Sequence, residues 1–163
     1  RVRIEIILGL KQDPRGVGYN SHQALSAIGS GKFLGKGYKN ATLANDTYSQ
    51  VPEQSTDFIF CTVAEEWGFL GGFILFSMYM VLILKIISIA ERQRSTFNRV
   101  FAYSIASIFF IHFAINIGMV LGLAPIIGIP LPFFSYGGSS LLSFSIMIFL
   151  LLKFDSDRLE SFR

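Results

Sequence analysis

One carboxylate stands at the mouth of a long apolar run. The stretch Pro52-Glu53-Gln54-Ser55-Thr56-Asp57-Phe58-Ile59-Phe60 leads into Thr62 to Leu84, which is almost wholly apolar apart from Glu65 and Glu66 near its start. About 20 apolar residues suffice for a helix to cross a bilayer core. An acid beside such a run is expensive to place and marks a functional position by default. Two chemistries suit Asp57: a general base within hydrogen-bond reach of a hydroxyl, or a ligand that positions a cation. The structural alternative is an N-cap, with Thr56 or Asp57 meeting the positive end of a helix dipole. Asp57, Cys61 and Glu65 recur at i, i+4 and i+8 and so share a helical face. Glu65 could line a cavity there or tune Asp57, but a structural ion pair is the favoured reading, since buried ions are usually paired. Glu66, about 100° around the helix, reads as a structural partner for another helix.

Further candidates lie on either side. Lys32 and Lys36, with Lys39, sit among glycines (Gly29, Gly31, Gly35, Gly37), and exposed backbone N–H groups beside cations suit a pyrophosphate. These Gly-x-Gly pieces follow no strand and make no nucleotide-binding fingerprint. A solvated cationic face drawn to lipid headgroups explains them equally well. His22 has no second ligand at helical spacing. His112 and Asn116 fall mid-span and can bond across helices. From Gly118 to Gly138 glycine and proline recur, and Pro130 to Ser140 reads as a kinked wall in which Ser135 and Tyr136 offer hydroxyls. Backbone of this kind at membrane depth must face protein or water.

The elements that position these residues follow from hydropathy. The chain has 163 residues, 52% hydrophobic and 15% charged, with 17 Phe, and a mean hydropathy of +0.52. That composition indicates an all-α polytopic membrane protein, and the absence of an initiating Met leads us to expect the C-terminal portion of a longer one. The lone Cys61 excludes an internal disulfide and a cysteine-based metal site. The net charge of +3 does not indicate nucleic acid, because the cations group in the connections between apolar runs. We expect a loop region over 1–56, spans over 57–89, 100–121 and 137–152, a turn over 90–99, a Gly/Pro-rich loop over 122–136 and a tail over 153–163. Within 1–56, residues 1–11 read as an interfacial segment, 13–18 as a turn, 19–28 as a short helix and 40–50 as a polar stretch. Gly68 and Gly72, four apart, predict a close helix–helix contact.

Lys85 to Arg99 and the tail cations Lys153, Arg158 and Arg163 fall on one side of the three spans, and the positive-inside rule makes that side cytoplasmic. Residues 1–56, Asp57 and the Pro-Leu-Pro turn then lie outside. The loop also carries cations, but the rule weighs those within roughly 15–20 positions of a span, and Lys39 is at that limit.

Several runs together resemble the SEDS family (shape, elongation, division, sporulation). They are Gly16-Val17-Gly18-Tyr19-Asn20, Ala27-Ile28-Gly29-Ser30-Gly31, Gly35-Lys36-Gly37, Thr56-Asp57-Phe58-Ile59-Phe60, Glu65-Glu66-Trp67-Gly68, and Asn116 to Val120 through Pro130-Leu131-Pro132-Phe133-Phe134-Ser135-Tyr136-Gly137-Gly138-Ser139-Ser140. The match runs nearly the whole chain in order and is closer to the RodA-like branch than to the FtsW-like one. The resemblance implies the C-terminal three transmembrane helices of an approximately ten-span bundle, plus a large extracytoplasmic loop with short amphipathic helices. It implies a bacterial inner-membrane peptidoglycan glycosyltransferase that polymerises lipid II with inversion during elongation. The active site would face the periplasm, and Asp57 matches the family's essential acid. It further implies undecaprenyl-pyrophosphate-linked glycan as substrate, a class B penicillin-binding protein as partner, and a divalent cation (Mg or Mn) compatible with the leaving group. On that reading Glu53, Glu65, Lys32, Lys36, Ser135 and Tyr136 are the substrate-binding candidates, and the identity of any metal ligand is left open. The chain departs from the family pattern at Ser55, where His is frequent, and at Asn40-Ala41-Thr42-Leu43, where Gly-Thr-Gln is frequent. The residues also leave room for a lipid-linked precursor flippase, since a bundle with intramembrane acids suits a transporter, and for a non-catalytic scaffold of a transpeptidase.

Overall fold

The computed structural model describes residues 17–38, 40 and 56–160, and side chains within 24–38, 40 and 56–157. The expectations for 1–11 and for most of 13–18 and 40–50, as well as Glu53, fall outside the described residues, as do the side chains of His22 and Gln23. Four helices follow in order: α1 (Val17–Ser30), α2 (Ile59–Arg92), α3 (Thr96–Val120) and α4 (Gly138–Glu160). The last three contain stretches long and apolar enough to cross a membrane. The protein is thus an all-helical, multi-pass membrane protein among its described residues.

Each helix outruns its hydropathy boundary at the cationic end. The charged stretch after Lys85 stays helical to Arg92, and α3 starts at Thr96, so the connection shrinks to Gln93-Arg94-Ser95. Polar residues continue a helix once its apolar turns have nucleated it, because each further residue adds a backbone bond at little extra cost. Gln93 is buried; its Nε2 donates to Asp155 Oδ1 (3.3 Å), and Arg92 reaches the same carboxylate at 3.8 Å. The turn is thereby tied to the end of α4.

That half of the bundle has a continuous apolar core. Ile83, Ile86 and Ala90 of α2 meet Ala102, Ile105, Ala106 and Phe109 of α3, with Phe144 and Leu151 of α4. Alanines recur where helices approach, as expected where close packing rather than solvent expulsion drives association. Large side chains on the opposite faces, among them Met78, Val81, Leu84, Phe110 and Phe149, are exposed. The spans therefore present apolar side chains outward, as lipid or further spans require.

The Asp57 end is built differently, because α2 is broken. Gly68 sits at φ 66°, ψ −161°, outside helical space. In an unbroken helix the Phe69 and Leu70 amides would donate to the Glu65 and Glu66 carbonyls. Here the 31–37 loop takes up all four groups. Lys36 and Gly37 amides donate to the Glu65 and Glu66 carbonyls (both 3.0 Å), while Lys32 and Phe33 carbonyls accept from the Phe69 and Leu70 amides (3.0 and 3.3 Å). Backbone groups at membrane depth must find such partners. The expected role of Gly68 in helix–helix contact is thus corrected: it makes the break, and the chain that fits against it is a loop. A Cβ at Gly68 would overlap the Gly35 amide, and one at Gly35 the Glu66 carbonyl, so neither position has room for a side chain.

Candidate functional site

The N-cap position of α2 belongs to Phe58, with Thr56 and Asp57 in the turn before it. The capping role expected of Thr56 or Asp57 is therefore corrected. Phe58 is buried with Cys61 against Ala24 and Ala27 of α1 and Val120 of α3. Burial of this aromatic ring draws the chain inward ahead of the helix and leaves the half-buried Asp57 outside the helical ladder.

Two groups from the far side of the sequence meet the Asp57 turn. Asn116, fully buried near the end of α3, donates from Nδ2 to the Asp57 carbonyl oxygen (3.0 Å) and to the Ile129 carbonyl oxygen (2.8 Å). Gly128, at φ +77°, lies against the carboxylate: a Cβ there would stand 3.1 Å from Asp57 Oδ2. Left-handed backbone of this kind suits glycine. The Gly/Pro-rich loop is itself tied down. Tyr79 of α2 hydrogen-bonds the Pro132 carbonyl oxygen, and Ser135 Oγ accepts the Leu131 N–H at 2.7 Å. Tyr79 also stacks on Phe113 with ring centroids 4.9 Å apart, and Leu131 packs against both.

The other candidates divide among several places. Glu65 is fully buried on α2, its Oε1 2.6 Å from Lys36 Nζ, with Ser30 Oγ at 3.4 Å. Lys36 keeps 28% of its side-chain exposure. Glu65 and Lys36 thus engage each other across the helix break, with Glu65 fully buried and Lys36 partly exposed. Asp57 and Glu65, expected on one face, turn to different partners, the first to the Gly128 loop and the second to the 31–37 loop. Lys32 is exposed, as is Tyr136. Ser135 is buried and its hydroxyl is used within its own turn. His112 bonds its own helix at the Ile108 carbonyl (2.9 Å) and meets the Phe144 ring edge-on. Gly128 carried no sequence signal beyond its place in a Gly/Pro-rich stretch. Asn116 was legible only as a polar residue mid-span, without its partners.

An apolar groove of about 660 Å³ runs along α2 beneath the Pro132-Phe133-Phe134 turn, lined by Phe73, Met78, Tyr79 and Val81 among others. Lys85 is its charged lining residue. Among the described residues no group of three or more His, Cys, Asp or Glu side chains could cage a metal ion. Asp57 alone suits a different arrangement, a Mg²⁺ held by one or two carboxylates and otherwise by substrate phosphate oxygens.

The site therefore offers a carboxylate at the end of a membrane bundle, on a turn whose backbone an amide holds and beside a glycine that leaves it room. The FtsW/RodA/SpoVE model, described as cell cycle protein, matches residues 1–159. The chain is 44% identical over 142 residues to the peptidoglycan glycosyltransferase MrdB of Escherichia coli K12, covering 87% of this chain and 38% of that protein. It is 39% identical over 158 residues to the peptidoglycan glycosyltransferase RodA of Treponema pallidum, covering 97% and 36%. A probable peptidoglycan glycosyltransferase FtsW of Trichlorobacter lovleyi is 38% identical over 151 residues, covering 93% and 39%. Among solved structures, the chain superposes with a TM-score of 0.78 and 30% identity on a protein from a study of how a peptidoglycan synthase complex coordinates polymerization and crosslinking. That match covers 97% of this chain and 42% of the other. The chain thus spans about two fifths of the length of these relatives.

Proposed function

The chain belongs to the FtsW/RodA/SpoVE family of cell cycle proteins, and from that premise we propose that it forms part of an inverting peptidoglycan glycosyltransferase that polymerises lipid II during cell elongation. The MrdB and RodA names of relatives at 44% and 39% identity support the elongation role. The observation that carries the reading is Asp57, half-buried at the entry to a span, its main-chain carbonyl bonded by Asn116 of α3 and its carboxylate lying against the Gly128 turn.

In this reading Asp57 accepts the proton of the acceptor sugar's 4-hydroxyl as that oxygen attacks C1 of the donor. The C1–O bond to undecaprenyl pyrophosphate breaks, configuration inverts, and the pyrophosphate leaves with the bonding electron pair. Cations of the outer loop stabilise the charge developing on it, since donors already in place cost no reorganisation in the transition state. Lys32, exposed beside the helix break, is the described residue best suited. A divalent cation, if bound there, would supply Lewis-acid stabilisation of the same leaving group; a cation held by Asp57 is the alternative to its role as base.

Lipid-linked substrates bring the pyrophosphate to the headgroup level, which is where a residue at the end of a span can meet it. We place the Asp57 end at the periplasmic face of the inner membrane, because the Lys85-to-Arg99 and Lys153 cations mark the opposite end as cytoplasmic. A class B penicillin-binding protein is the partner that would crosslink the product. The solved complex that couples polymerization and crosslinking supports that pairing in general terms.

The decisive experiment is polymerisation of purified lipid II by the full-length protein and its Asp57→Asn variant, with and without chelator. Removing the base predicts a loss of at least about 10²-fold in rate with unchanged folding. Undiminished polymerisation by the variant would sink the base assignment, and no polymerisation by the wild type would return the reading to a flippase or scaffold.

A further inference from the structure

We propose that Asn116 is a positioning residue for the Asp57 carboxylate, its amide clamping the Asp57 turn onto the Gly128-Ile129 turn so that the carboxylate points in one direction. The proposal rests on Asp57 being the reacting acid. The chemistry of the contact is specific. Both targets are carbonyl oxygens, on residues 59 and 13 positions away in sequence. One planar group must therefore present two N–H donors at a single point, which an amide does and an ionised carboxylate does not. The amide orientation follows from the same geometry, because Oδ1 in place of Nδ2 would face two acceptors.

A purely structural role fits less well. Asn116 Oδ1 is buried with no hydrogen-bond partner among the described residues. Two bonds gained against one buried acceptor left bare is a poor exchange for stability alone. What the contact does supply is direction. It joins the backbone of the residue that carries the acid to a turn that lies against that acid. Gly128 completes the seat by leaving space: the carboxylate occupies the region that a Cβ would crowd at 3.1 Å.

Gly122 provides an internal control. It has nearly the same left-handed backbone, φ +73° against +77°, yet a Cβ there would meet only Leu25 Cδ1 at 3.8 Å. Alanine at either glycine must take a positive φ, but only at position 128 does it press on the acid.

The test uses full-length protein, purified and monodisperse, with lipid II varied to separate kcat from KM and rates expressed per folded molecule. Displacement of a reacting group by about 1 Å costs on the order of 10²-fold. Asn116→Leu and Gly128→Ala should therefore lower kcat by about 10- to 100-fold with KM changed less than about twofold, while Gly122→Ala retains kcat. Asn116→Gln, which keeps both donors, should recover part of the loss seen in Asn116→Leu. If Asn116→Leu does not fold, the Gly128→Ala and Gly122→Ala pair decides. Equal kcat in those two variants, or wild-type kcat in Asn116→Leu, overturns the proposal. Asp57→Asn runs in parallel: if it is inactive while the seat variants keep full kcat, the positioning claim alone fails. If Asp57→Asn polymerises normally, the base reading fails and takes this proposal with it.

Discussion

The two ends of the three-span unit are held by different forces. Around Ile86, Ala102, Phe109 and Phe144 the helices are unbroken and the contact is apolar throughout. Around Asp57 and Glu65 the same α2 is interrupted, and beside the apolar packing of Phe58 and Cys61 the chain is tied by hydrogen bonds and an ion pair that join spans to loops. Apolar contact between helices in lipid discriminates weakly, since a lipid tail is as apolar as Leu. It suits an end that has only to stay together. Hydrogen bonds have direction, and a donor left without its acceptor there is costly. They suit an end where one carboxylate has to be aimed. The contrast teaches that the break at Gly68 is a means of bringing loop backbone, and with it Lys36, into a bundle that would otherwise offer only side chains.

That contrast can be broken most forcefully at the ion pair. Lys36→Met leaves the Glu65 carboxylate buried without its cation, and we expect a loss of about 3 kcal/mol, discounted for the part of Lys36 that water reaches. Thermal unfolding of the full-length protein in detergent should show it. Turnover per folded molecule should fall too, because the first two turns of α2 lead directly from Asp57. Lys36→Met combined with Glu65→Gln should recover most of the stability; a double variant as unstable as the single one would show that the charge pair is not what holds the break.

The far end is expected to answer differently. Ile86→Ala opens a cavity in the apolar core shared by α2, α3 and α4 and should cost about 2 kcal/mol, with kcat unaltered in the lipid II assay. A fall in kcat there would mean that the two ends are coupled. The smallest effect is expected at the boundary between them. Tyr79→Phe removes one hydrogen bond to the Pro132 carbonyl while keeping the stack on Phe113. About 1 kcal/mol in unfolding and a small change in kcat would place Tyr79 with the far end. A loss of 10-fold or more in kcat would place it with the Asp57 seat.

Much of the architecture could be read from the residues. The three spans were legible because hydropathy accumulates along a single stretch, and Asp57 stood out because an acid beside such a stretch is costly. The helix break was not. Gly68 lies four residues from Gly72, a pattern that reads as a small-residue contact, and nothing local distinguishes a glycine that permits close approach from one that takes positive φ. Lys36 and Glu65 were both picked out, Glu65 with a structural ion pair as the favoured reading, but that they pair with each other was not legible, since a sequence shows two charges without showing that they meet. Ser135 shows the same limit: that its oxygen accepts the Leu131 amide within its own turn is visible only in the fold.

The order of residues settled that the described residues hold three stretches long and apolar enough to cross a membrane, that the chain belongs with the FtsW/RodA/SpoVE proteins, and that Asp57 sits at the edge of one of them. Each of these depends on properties summed over neighbours in the chain. Which carbonyl Asn116 serves, which loop fills the gap at Gly68 and where the Asp57 carboxylate rests were decided in three dimensions. A buried polar group takes whichever partner the fold brings within about 3 Å, and for Asn116 and Asp57 that partner lies 59 residues away.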